Sequence, residues 1–255
     1  MNYLKLKQIV VFITFCFLLS CNQEKGGLSK VAGKQIKIDT SFKAVDSIEN
    51  FVAPFKNRID EVLDSTLAYV PNSLLLDDGN RNTSMGNLMA DIVFQETHPI
   101  FKSKMDKELD FVVLNRGGIR SIISKGNVTA RNAYEVMPFE NYISVVELSG
   151  TAVRELITFL STADRAHPIS GLQIVLDKKG ALESVTIQGS PFDETRNYYV
   201  ATSDYLVQGG PSIGFFNDII STTDTGYLLR NAIIDHFKKV DSVKAEVDDR
   251  FIQLD

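Results

Sequence analysis

The spacing of apolar residues divides the chain into elements before any chemistry is considered. An apolar run from Ile9 to Leu19 follows Lys5 and Lys7. Between Ala44 and Leu63, the residues Ile48, Phe51, Val52, Phe55, Ile59, Val62 and Leu63 recur at helical spacing and mark one apolar face. Pro54 interrupts that pattern and predicts a kink or a break. Short strands are expected at Gln35 to Asp39 and, in pieces around Pro71, from Leu67 to Leu76. Thr83 or Ser84 can cap a helix that runs to Gln95 or Thr97.

Further along, Phe111 to Leu114 is a compact apolar, β-branched run, expected as a buried strand. Tyr142 to Leu148 predicts another strand, and Thr151 to Leu160 an amphipathic helix with Val153, Leu156, Ile157 and Leu160 inward. Strands at Leu172 to Leu176 and Leu182 to Ile187 flank the turn Lys178-Lys179-Gly180 as a hairpin. A further strand is expected at Tyr198 to Thr202, and a helix near Tyr227 to Phe237. Strands interleaved with helices give an α/β fold class, a mixed β-sheet flanked by helices.

Composition narrows the class. At 255 residues the chain can bury one sizeable core. Its 44% hydrophobic and 23% charged residues are those of an ordinary globular protein. A net charge of −5 with no basic tail argues against a protein that coats nucleic acid, while leaving room for a local arginine pocket. The Ile9 to Leu19 run is short for a bilayer span and, behind two lysines, fits the core of a signal peptide. Leu18-Leu19-Ser20-Cys21 resembles a bacterial lipobox, which implies that Cys21 is lipidated and anchors the chain to a membrane in the bacterial cell envelope. The competing reading is a short membrane anchor with an incidental cysteine. The expected layout is a signal peptide over 1–20, a lipidated Cys21 and polar tether over 21–40, and one domain over 41–255. Cys21 is the last cysteine, so that domain has no disulfide.

The stretch with the most chemistry runs from Asp110 to Asn141. The strand at Phe111 to Leu114 ends in Asn115-Arg116-Gly117-Gly118-Ile119-Arg120. Two glycines permit a tight turn and close approach to a ligand, with an amide and two guanidinium groups around them. Polar groups at the carboxyl end of a strand are where open α/β sheets bind ligands. Met137-Pro138-Phe139-Glu140-Asn141 then sets an aromatic ring beside a proline. Each piece alone also fits a plain loop, a solvated arginine or a core phenylalanine.

Order and spacing together resemble the C-terminal, substrate-binding domain of the periplasmic and ecto-5'-nucleotidase family. Its pattern N-x-G-G-I-R, G-x-I/V-T, P-F-x-N matches Asn115 to Arg120, Gly126 to Thr129, and Pro138 to Asn141. Met85-Gly86-Asn87-Leu88-Met89-Ala90-Asp91 matches the family's M-G-N-L-I-A-D, with Asn82 where a glutamate is usual. Gly86 and Asn87 fit either helix packing or ligand contact. Tyr198-Tyr199-Val200-Ala201-Thr202-Ser203-Asp204-Tyr205 through Gly210 matches a third motif, with Tyr205 in place of phenylalanine and Pro211-Ser212 in place of a following aspartate.

The resemblance implies that a nucleotide or nucleoside base stacks between Phe139 and Tyr205, with Asn115, Gly117, Gly118 and Asn141 around it. It implies Arg120 near a phosphate, joined by Arg81, and puts sugar recognition in doubt at Pro211. No cofactor is expected in this chain. His98, His167 and His236 form no D-x-H, H-x-H or N-H-D/E motif, and no G-x-x-x-x-G-K-[ST] loop occurs. The resemblance implies a metal-holding half beside this domain, so divalent metals are expected only in a separate partner metallophosphoesterase chain. The alternative is a non-catalytic nucleotide-binding surface lipoprotein.

Overall fold

The computed structural model describes residues 3–18, 30–210, 216 and 218–254. Cys21, Pro211 and Ser212 lie outside the described residues, so the lipid attachment and the sugar-recognition question lie there too. The chain divides into two units, residues 1–50 and 51–255. In the first, helix α1 spans Tyr3–Leu18. Among the described residues, no helix is long and apolar enough to cross a membrane. Residues 30–38 are irregular and exposed, so the strand expected at Gln35 to Asp39 does not form. Among the described residues no strand pairs with them, and an unpaired strand has nothing to hold it against water.

Helix α2, Asp46–Leu63, runs through Pro54 without a break. The proline forfeits the bond to the Asn50 carbonyl, but Asn50 is exposed, so water can take that acceptor. The apolar stripe is not core: Phe51, Val52, Phe55, Ile59 and Val62 are all exposed.

The second unit continues as β1 (Thr66–Val70), α3 (Ser84–Met105), β2 (Phe111–Val113), β3 (Gly126–Thr129), α4 (Ala130–Val136), β4 (Tyr142–Ser149) and α5 (Gly150–Thr162). Then come β5 (Ile169–Ser170), β6 (Leu172–Leu176), β7 (Leu182–Ile187), β8 (Ser190–Pro191), β9 (Asn197–Ser203), α6 (Asp204–Val207), β10 (Ile219–Leu228), α7 (Leu229–Lys239) and β11 (Phe251–Gln253). Helix α3 passes Pro99 and extends well beyond Thr97, its expected end; the carbonyl freed at Gln95 again sits on an exposed residue. Several elements lack a sequence-based counterpart, among them the short helix α4 and strand β10. The latter is the mostly exposed edge strand and takes in the first two residues of the expected Tyr227 helix.

Among the described residues the strands form three sheets, of which the central one has the order β10-β4-β9-β2-β5. The β2–β9 pairing is parallel, and the other pairings in this sheet are antiparallel. The fold is therefore α/β with mixed sheets flanked by helices, as the apolar pattern predicts. Both faces of the central sheet are covered. Val112, Ile143, Val145 and Ala201 join one core with α3 and α7, whereas Phe111, Val113, Val146, Leu148 and Val200 join a second core with α5 and β6. Double coverage explains why β2 reads as continuously apolar.

The M-G-N-L motif is structural here. Asn82 Nδ2 donates to the Asp248 and Phe251 carbonyls at 2.9 and 3.0 Å, and its Oδ1 accepts from Asn87 Nδ2 at 2.7 Å and Asp248 N at 3.0 Å. Arg250 grips both carboxylate oxygens of Asp91 at 2.9 and 3.0 Å. Gly86 is needed for closeness, since a Cβ there would come within 2.9 Å of the Thr83 hydroxyl that caps α3. The helix start thus pins the C-terminal segment. Replacing buried Asn82 by Ala orphans four partners, so Asn82→Ala is expected to lower the unfolding free energy by about 2–4 kcal/mol. Urea denaturation reads this, and a loss below about 0.5 kcal/mol contradicts the assignment.

Candidate functional site

Strand register brings the candidate residues to one edge of the central sheet. The parallel pair Val112–Ala201 means that β2 and β9 release their chains at the same end. There β2 leads into Asn115 and β9 into Tyr205. On the other side of β9, Ile143 pairs with Ser203, so the segment entering antiparallel β4 arrives at that end as well. That segment is Met137–Asn141. Three connections separated widely in sequence therefore meet above one set of strand ends.

They enclose a cavity of about 330 Å³ lined by Asn115, Gly117, Gly118, Arg120, Phe139, Asn141 and Tyr205. Phe139 and Tyr205 are 43% and 48% exposed, so neither ring is a core residue. Neither stacks on another ring among the described residues, which leaves their faces open to a ligand. Asn115 opens a single 3-10 turn, Arg116–Gly118. Neither glycine of this turn has a positive φ, and only Gly118 is short of room. A Cβ on Gly118 would stand 3.0 Å from Asn115 Oδ1 and push the amide aside. At the other wall, Gly209 has φ +90°, and a Cβ on Gly210 would press on the Tyr205 ring at 2.9 Å. Here the Gly-Gly pair does supply both a turn and a close approach.

Arg120 is exposed at the rim, its Nη1 3.3 Å from the Gly117 carbonyl, and no carboxylate pairs with it among the described residues. Its backbone N–H bonds the Val136 carbonyl at 2.9 Å, tying the glycine turn to α4. Arg116 instead reaches the Leu76 carbonyl at 3.4 Å, and burial followed by the nearby charge of Arg165 lowers its pKa. Arg81 does not join the cavity. It bonds the Ser161 carbonyl at 3.1 Å and Gln253 Oε1 at 3.2 Å, with its guanidinium 5.6 Å over Phe251. Its segment leads into α3 and meets the C-terminal strand, so Arg81, expected beside Arg120, does not line the cavity with it.

Arg230 is the residue that sequence reasoning missed. It is buried in the first turn of α7, and its Nη1 faces the Met137, Pro138 and Phe139 carbonyls at 3.5, 3.3 and 3.3 Å. A cation in a helix's first turn opposes the helix dipole, and that was the available signal.

The cavity lining does not fit a divalent metal, because its donors are neutral amides, a guanidinium and aromatic rings rather than clustered carboxylates or imidazoles. Among the described residues, no three His, Cys, Asp or Glu side chains come together elsewhere either.

Residues 66–218 match the family profile of the 5'-nucleotidase, C-terminal domain. The chain belongs to this family. It is 26% identical over 192 residues to Protein UshA of Escherichia coli (strain K12), covering 70% of this chain and 32% of that protein. It is 27% identical over 184 residues to Cell wall protein Lmo0130 of Listeria monocytogenes, covering 63% and 23% respectively. The crystal structure of a 5'-nucleotidase precursor from Thermus thermophilus has the same fold over 82% of this chain and 43% of that one, with a TM-score of 0.67 at 22% identity. The chain thus spans about a third of the length of UshA.

Beneath the cavity, His167 places Nδ1 3.3 Å from the Leu114 carbonyl, and its ring meets Phe159 edge-on. Burial pushes its pKa below the ordinary 6.5. The unfolded ring takes a proton near its ordinary value and the folded ring only at lower pH. Its stabilising contribution is therefore whole above about pH 7 and declines as pH falls through about 6.5 towards the folded pKa. His236 is lowered by burial as well and retains part of this slope. His167→Gln is expected to flatten the fall in urea midpoint between about pH 7 and 5, and an unchanged slope contradicts the assignment.

Proposed function

We propose that this chain is the nucleotide-recognition half of a 5'-nucleotidase. The observation that carries this reading is a pair of exposed rings, Phe139 and Tyr205, lining one cavity with an amide, Asn115, and a carboxylate-free arginine, Arg120. A purine offers two π-faces, and stacking on aromatic rings contributes about 1–3 kcal/mol per base. A cavity near 330 Å³ lies at the lower end of the roughly 300–1,000 Å³ typical of small-molecule sites. Asn115 and Asn141 each carry a donor and an acceptor suited to a base edge. Arg120 offers a planar fork to a phosphate at the rim.

The phosphoryl chemistry belongs elsewhere in this reading. Two-metal hydrolysis clamps the attacking and leaving oxygens between cations held by clustered carboxylates and histidines. The lining residues do not fit such cations, so a separate metallophosphoesterase chain supplies them, and this chain binds and orients the nucleotide. The second reading, a non-catalytic nucleotide-binding lipoprotein, is favoured by the same lack of metal donors around the cavity. In both readings Cys21 carries a lipid that holds the chain in the cell envelope.

Calorimetric titration with AMP and adenosine is the first test. Phe139→Ala and Tyr205→Ala are each expected to weaken AMP binding by about 1–3 kcal/mol with little change in thermal stability. Arg120→Ala is expected to weaken AMP more than adenosine, since only AMP brings the anion. Ring variants that bind AMP like the parent contradict the reading. The purified chain, freed of contaminants, is expected to leave AMP intact with any divalent metal added; brisk turnover contradicts the division of labour. Restored turnover on adding a co-purifying metallophosphoesterase selects the first reading over the second. Fatty-acid labelling in cells is expected to disappear in Cys21→Ala, and labelling that survives refutes the anchor.

A further inference from the structure

The segment Met137–Asn141 places Phe139 and Asn141 on the cavity, yet it forms no helix or strand of its own. The first two residues of α7 hold it from outside. Leu229 N–H donates to the Asn141 carbonyl at 2.9 Å. Arg230 Nη1 faces three successive carbonyls, those of Met137, Pro138 and Phe139, while its guanidinium carbon lies 4.2 Å over the Tyr134 ring.

Three features of Arg230 are unfavourable unless this grip is its purpose. It is 7% exposed, and no carboxylate pairs with it among the described residues. Its Nε is buried without a partner. It also sits at the positive end of the α7 dipole. A buried cation lacking an acid needs compensation, and converging carbonyls together with a π-face provide it. We propose that Arg230 is a positioning residue that fixes the backbone presenting Phe139, and so sets the stacking wall of the cavity. The part of this inference that concerns affinity rests on the nucleotide reading above; the part that concerns the loop does not.

Without the grip the loop samples other poses, and apparent affinity falls in proportion to the fraction that remains competent. A loop in the competent pose about one tenth of the time binds about tenfold more weakly.

The chain contains no tryptophan, so Phe139→Trp installs a single fluorescent reporter on the loop. Acrylamide quenching of the indole at position 139 is compared in Phe139→Trp alone and with Arg230→Met or Arg230→Lys added. Circular dichroism establishes that each protein is folded. Quenching is expected to roughly double with Arg230→Met, as for a segment freed from local contacts, and to rise less with Arg230→Lys, which keeps the charge but loses the fork. On the native Phe139 background, AMP affinity is expected to fall about tenfold with Arg230→Met and to be partly rescued by Arg230→Lys. A folded Arg230→Met protein with unchanged quenching overturns the proposal. If that variant does not fold, Arg230→Lys decides alone: greater quenching than the Phe139→Trp parent supports the proposal, and equal quenching overturns it. If AMP fails to bind the wild type, the nucleotide reading fails, while the quenching comparison still decides the role of Arg230.

Discussion

The parallel pairing of β2 with β9, flanked by antiparallel β4, is the constraint on which this molecule depends. Because both faces of the central sheet are covered, β2 is apolar throughout and the strands beside it are mostly apolar, so the open polar groups of the cavity gather where the strands end. The pairs Val112–Ala201 and Ile143–Ser203 bring three such ends together. A slip of one residue in either pairing would turn every side chain on the shifted strand to the opposite core and would misalign the loops above it. Burial on both faces thus fixes the register, and the register fixes the cavity.

The polar residues divide into two groups with opposite fates. Asn82, Asn87, Asp91 and Arg250 turn inward and spend their hydrogen bonds on one another and on the C-terminal segment. Asn115, Arg120, Phe139 and Tyr205 remain open at the strand ends. Arg230 belongs to neither group: it is buried, yet the hydrogen bonds of its guanidinium lead to the loop of the cavity. Such a division is expected when one set of residues must hold a fold and another must stay available to a ligand.

Much of this was legible in the sequence, for physical reasons that can be named. The buried strands announced themselves as short β-branched runs, and the motif glycines marked the turns. Strand β10 escaped notice because Ser221, Thr222, Thr223 and Asp224 lie on a solvated edge that needs no apolar alternation. Pro54 misled because it costs a bond only at a carbonyl that water can satisfy. Gly117 and Gly118 were expected to permit a tight turn and a close approach; neither has a positive φ, and Gly118 makes room for the Asn115 amide. Arg81 and Arg230 could not be placed because their roles depend on contacts with residues about eighty to more than a hundred and seventy positions away in the first case and about ninety in the second. Local pattern carries no information at that range.

The central claim is that one cavity, built from three connections, receives a nucleotide. Hydrogen–deuterium exchange of the full chain with and without AMP tests it most directly, because it reports every segment at once. The account predicts that AMP slows exchange together in 115–120, 137–141 and 203–210, leaving the α3 motif and the C-terminal strand unchanged. Protection confined to other segments, or none at saturating AMP, would contradict it.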